Sequence, residues 1–107
     1  MYSRITAARL ASRVRSLLGV TDRLALRRAA EELGVAEGDL REIVTYETVY
    51  PAVSALAAIV AFYGVDAGWL LTGEYTPSTH RAEEEMGESP KVRVARYLAD
   101  DTVGRPE

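Results

Sequence analysis

Apolar residues recur along the chain at helical spacings of three and four, and glycines interrupt them at intervals. Over 3–18, Ala7, Leu10, Ala11, Val14, Leu17 and Leu18 share one arc of a helical wheel, and Gly19 follows as a stop. This pattern predicts an amphipathic helix. Thr21 suits the N-cap of a second helix, rich in Leu, Ala, Arg and Glu, over 24–33, and Gly34 ends it. After the turn 34–36, Leu40, Ile43 and Val44 predict a third helix over 37–46, with Asp39 near the positive end of its dipole. The β-branched Val44 and Thr45, the aromatics Tyr46 and Tyr50, and Pro51 predict a loop over about 46–51. From 52 to 63 nearly every position is apolar, with Val53, Leu56, Ile59, Val60 and Tyr63 in the widest stripe. A helix apolar on all sides belongs at the centre of a fold. Gly64 closes it, Asp66 caps a short fifth helix over 68–72 carrying Trp69, Leu70 and Leu71, and Gly73 stops that one.

The pattern then changes. Residues 74–90 mix Thr, Pro, Ser and Gly with a Glu triplet, the composition of a mobile linker. Ser89-Pro90 reads as the cap and first residue of a final helix bearing Val92, Ala95, Tyr97 and Leu98, although the alternation of Val92 and Val94 also fits a short strand. The expected organisation is all-α: a five-helix domain over 1–74, a linker over 75–90, and a C-terminal helix and tail over 91–107. Such a terminal helix docks on its own domain or on a second copy.

With 107 residues, 48% hydrophobic and 27% charged, the chain suits one compact domain. It has neither an apolar run of membrane-spanning length nor a secretory leader, so the expected location is the cytoplasm, without membrane contact. The absence of cysteine excludes disulfides, thiolate metal sites and thiol nucleophiles. His80 is the only histidine and falls in the expected linker, where a solvated role is the default. Glu83, Glu84 and Glu85 read as a solvated charged face. The glycines form no phosphate-binding loop, so no enzymatic activity, cofactor or metal is expected.

Charge is uneven. Residues 1–30 carry Arg4, Arg9, Arg13, Arg15, Arg23, Arg27 and Arg28 against Asp22 alone, a local charge of +6. Residues 31–50 carry Glu31, Glu32, Glu37, Asp39, Glu42 and Glu47 against Arg41, a local charge of −5. Arg4 and Arg15 flank the apolar arc of the first helix, Arg9 and Arg13 lie opposite it, and all are expected to reach toward solvent. Arg27 and Arg28 stand at helical spacing from Glu31 and Glu32, which also fits an ion-paired, solvated face.

Two helices joined by a glycine turn form the geometry in which a second helix is presented to the major groove. The stretch 17–75, LLGVTDRLALRRAAEELGV followed by AEGDLREIVTYETVYPAVSALAAIVAFYGVDAGWLLTGEY, resembles the phage CI-repressor branch of the lambda-repressor-like, XRE-type helix-turn-helix domains. GVDAGWLLTGE at 64–74 is similar to that family's ending, and Ala30, Leu33, Gly34, Val35, Leu40, Ile43, Pro51, Leu56 and Ile59 also match its pattern. The resemblance implies a five-helix bundle in which the helix near 21–33 crosses the DNA backbone and the one near 37–46 reads the groove. It departs from the family in placing Glu37, Gly38, Asp39, Arg41, Glu42, Thr45, Tyr46 and Glu47 where polar or basic residues are usual, and Leu26 where Gln is frequent.

Two principal readings follow. In the first, the chain is a transcriptional regulator that binds double-stranded DNA as a homodimer at a pseudo-palindromic site. Arg27, Arg28 and Arg41 position or read DNA, Thr45 and Tyr46 contact sugar-phosphate, and Glu37, Asp39 and Glu42, with Gly38 among them, tune specificity or avoid the groove. In the second, the scaffold serves a protein partner through its acidic helix. A weaker third reading is an antitoxin-like component whose tail over 75–107 wraps its target.

Overall fold

The computed structural model describes residues 4–19, 22–45 and 51–103, with side chains described between 7 and 98 within those ranges. The described residues are all helical in their regular structure: α1 (Arg4–Leu18), α2 (Arg23–Leu33), α3 (Glu37–Val44), α4 (Val53–Tyr63), α5 (Ala67–Thr72), α6 (Pro77–Met86) and α7 (Pro90–Val103). Helix α4 is central, as its apolar sequence requires. Leu56 and Ile59 are fully buried, and around them pack Leu10 and Val14 of α1, Leu26 of α2, Leu40 and Ile43 of α3, Leu70 of α5 and Val94 of α7. At the other ends of the core, α1 lies against α3 and α5, while α7 lies against α4 and α5.

Local signals explain most boundaries. The side chain of Asp66 accepts from the Trp69 amide at 2.9 Å and starts α5. Ser89 Oγ accepts from the Val92 amide at 3.3 Å, with Pro90 as the first residue of α7, so this segment is a helix rather than a strand. Helix α2 is capped by Asp22, whose Oδ1 accepts from the Ala25 amide at 2.8 Å, rather than by Thr21. The helix begins at Arg23, one residue earlier than expected, because the carboxylate immediately before it reaches the third amide. Helix α3 ends at Val44, two residues short of the expected end, where the β-branched pair begins. The loop expected over 46–51 lies, up to residue 50, outside the described residues, and buried Pro51 leads into α4.

The segment 75–90 is where expectation and structure differ most. Instead of a linker throughout, residues 77–86 form α6, started by Pro77 and stopped by Gly87. Its one buried side chain is Glu83, only 3% exposed. Arg96 of α7 donates to Glu83 Oε2 and also to Glu88 Oε2 in the turn between the two helices. A buried carboxylate with a guanidinium partner substitutes for the apolar stripe that a sequence pattern detects, and the Glu triplet is not uniformly solvated: Glu84 and Glu85 are exposed, Glu83 is not.

Candidate nucleic-acid interface

Helices α2 and α3 meet at a three-residue turn, 34–36. Gly34 has φ 72°, a left-handed conformation that costs a residue with a Cβ roughly 1–2 kcal/mol. Its amide bonds back to Glu31 at 3.2 Å, and the Val35 amide reaches the Ala30 carbonyl at 3.0 Å, which satisfies the end of α2. Leu26, Ala29 and Ala30 on one side and Leu40, Ile43 and Val44 on the other are buried, fixing which faces turn outward.

The outward faces carry the expected residues. Arg28 is exposed and has no ion-pair partner among the described residues, as are Arg23 ahead of it and Arg41 on α3. Arg27 is 63% exposed and lies 3.5 Å, Nε to Oε1, from Glu37, the first residue of α3. Its partner is therefore across the turn and not Glu31, one helical turn away. Glu37, Gly38 and Asp39 are half-buried in the first turn of α3, where the two carboxylates complement the amide end of the helix. A Cβ built on Gly38 would meet nothing within 4 Å, so open space lies above that position. Glu42 is exposed, and so is Thr45, whose Oγ1 donates to the Arg41 carbonyl at 2.7 Å. Tyr46 and Glu47 lie outside the described residues. The structure thus brings Arg27, Arg28, Glu37, Gly38, Asp39, Arg41, Glu42 and Thr45 to one helix pair.

Two arginines of the basic segment are engaged by other helices: Arg13 is half-buried, whereas Arg15 stays exposed. Arg13 Nε donates to the Leu70 carbonyl at 2.7 Å, and Arg15 Nη1 donates to the Val44 carbonyl. Each guanidinium caps the carbonyl end of another helix, α5 and α3 respectively, where a cation suits both the unsatisfied acceptors and the dipole. The expectation that Arg13 reaches solvent is corrected accordingly, whereas Arg15 is exposed as expected; with both guanidinium groups engaged, the +6 segment offers fewer free cations than its sequence suggests. Nothing in the sequence marks Arg15 as the clamp on α3, because its acceptor is a backbone carbonyl 29 residues away.

A second polar cluster joins α5 and α6. His80 is half-buried: its Nδ1 is 2.5 Å from Asp66 Oδ1 and its Nε2 is 3.4 Å from Glu84 Oε2. The four-residue spacing of His80 and Glu84 is visible in the sequence, but the Asp66 contact is not. The pair borders an open groove of 420 Å³ lined by Gly64, Val65, Asp66, Trp69, Tyr75 and His80. Since the other Asp66 oxygen holds the start of α5, the cluster braces α6 against α5. Among the described residues, no group of three or more His, Asp or Glu is arranged to hold a metal ion, and no helix is long and apolar enough to cross a membrane. Compared with protein-family models, with curated proteins and with solved structures, the chain matches none of them.

Proposed function

We propose that the chain is a DNA-binding transcriptional regulator of the helix-turn-helix type, with α3 entering the major groove of duplex DNA and α2 lying across the phosphate backbone. The observation that carries this reading is the α2–turn–α3 pair, with its inner faces in the core and Arg23, Arg28 and Arg41 exposed, each without an ion-pair partner among the described residues. The resemblance of 17–75 to CI-repressor-like domains supports the same reading. Arg23 and Arg28 supply phosphate contacts, while Arg41 and Thr45 stand on or just beyond the reading helix. An eight-residue helix is about 12 Å long and meets only a few base pairs, so a second copy on a pseudo-palindromic site is part of the proposal. The exposed Met86 and Val92 give that copy an apolar surface beside the α6–α7 turn.

Fluorescence anisotropy with a random duplex tests it. Binding at about 50 mM salt that weakens steeply by about 200 mM is the expected result. No detectable binding at the lower concentration contradicts the proposal.

A second reading is a protein-interaction module that uses the acidic side of α3. It is favoured by Asp39 and Glu42, which have no ion-pair partner among the described residues. A partner captured by the wild type and lost with the D39N/E42Q variant, together with absent DNA binding, would replace the first reading.

A further inference from the structure

We infer that Glu37 makes DNA binding by this chain sequence-dependent, by holding Arg27 in an ion pair that a cytosine-bearing major groove releases. The inference rests on the DNA-binding reading above and gives that site its discriminating element. Arg27 Nε lies 3.5 Å from Glu37 Oε1, with the two side chains 63% and 35% exposed. The pair spans the Gly34 turn, from the middle of the helix assigned to the backbone to the first residue of the helix assigned to the groove. Arg28, beside it, has no such partner among the described residues.

Two effects act against binding to arbitrary DNA. While paired, Arg27 neutralises Glu37 rather than a phosphate, and Glu37 itself repels phosphates. In the major groove the balance changes, because a carboxylate accepts a hydrogen bond from the cytosine N4 amino group. There, one exposed Arg27–Glu37 contact is exchanged for an Arg27–phosphate contact and a Glu37–cytosine contact, both charge-assisted. Where no cytosine stands at that step, opening the pair leaves the carboxylate without a replacement donor. An exposed ion pair is weak enough to be exchanged in this way. The Glu83–Arg96 pair is not, since its carboxylate is buried and has no access to a substitute.

The test measures anisotropy of wild type, Glu37→Gln, Arg27→Ala and the double variant on a random duplex between about 50 and 200 mM salt, with Glu42→Gln as control. One additional phosphate contact steepens the salt slope by about 0.9, so a gain for Glu37→Gln of roughly tenfold at about 50 mM falls to roughly threefold at about 200 mM. In the Arg27→Ala background this gain shrinks to the relief of the Glu37 repulsion and loses the added salt slope, whereas any gain from Glu42→Gln persists there in full. Glu37→Gln also erases the wild-type preference for a duplex of alternating dG and dC over one of alternating dA and dT. A Glu37→Gln gain of the same size with and without Arg27, or no gain, overturns the inference while leaving the DNA-binding reading in place. Absence of binding by both wild type and Glu37→Gln at about 50 mM salt overturns both.

Discussion

Helices α2 and α3 meet at Gly34, and α6 and α7 meet at Gly87, through the same backbone. Both glycines have φ 72°, and in each turn the next amide returns to a carbonyl in the last turn of the preceding helix: Val35 to Ala30 at 3.0 Å, Glu88 to Glu83 at 3.3 Å. The two hairpins differ in where they keep their charges. The first buries alanine, leucine, isoleucine and valine between its helices and the core and leaves Arg27–Glu37 outside. The second buries its carboxylate and draws Arg96 over it. One turn geometry therefore serves two purposes. An ion pair in water can be traded for a ligand, whereas a buried carboxylate held by a half-exposed guanidinium holds the fold and is committed to it.

The largest effect is expected at Arg96. Its guanidinium is held more firmly protonated than usual, first by its hydrogen bond to Glu88 and then by the charges of Glu88 and Glu83. Arg96→Ala leaves the Glu83 carboxylate buried without a partner and is expected to lower the thermal midpoint by roughly 10 °C or more, read by circular dichroism. Replacing both partners by apolar residues, Glu83→Leu with Arg96→Met, should recover most of that loss. Recovery of nothing would mean that the pair does more than hold α6 to α7.

Next come the glycines. Open space surrounds both positions, so Gly34→Ala and Gly87→Ala meet only the penalty of the left-handed backbone, roughly 1–2 kcal/mol each in denaturant titrations. Markedly unequal losses would show that the two turns are alike only in appearance. Arg27→Ala, by contrast, removes a pair that is largely in water and should change stability by less than about 0.5 kcal/mol while altering DNA binding. A stability loss on the scale of Arg96→Ala would erase the distinction between the hairpins.

The smallest effect belongs to Tyr63 on α4. Burial, and secondarily the negative charge of Glu32 on α2, raise its phenol above the ordinary value. The folded protein then keeps this proton while the unfolded chain releases it. Stability is therefore unaffected below the ordinary tyrosine range and declines as pH rises through and beyond it. Ultraviolet titration of the phenolate, with Glu32→Gln lowering the transition slightly, checks the sign.

Legibility in the sequence followed the same division. Helix α4 was readable because its burial is achieved by apolar atoms, and Asp66, Ser89, Gly34 and Gly73 announced their boundaries through side-chain caps or a positive φ. The α2–turn–α3 pair was readable for the same reasons, down to the core positions Leu40, Ile43 and Val44. Helix α6 was hidden because its buried residue is a glutamate whose partner lies 13 positions away, so polar composition was read as solvation. The contacts of Arg13 and Arg15 are hidden for a related reason: their acceptors are backbone carbonyls, which every residue carries and no pattern singles out. Within the candidate site, the identity of the exposed residues was legible. The pairing of Arg27 with Glu37 was not, because Glu31 at helical spacing offered a nearer partner along the chain, and only the turn brings Glu37 close.

Mapping amide chemical-shift changes by NMR while a short random duplex is added at low salt tests the central claim most directly. The account predicts changes concentrated over 22–28 and 37–45, with the amides around Asp66 and His80 unaffected at the same ratio. Changes confined to α6 and α7, or none anywhere, would contradict it.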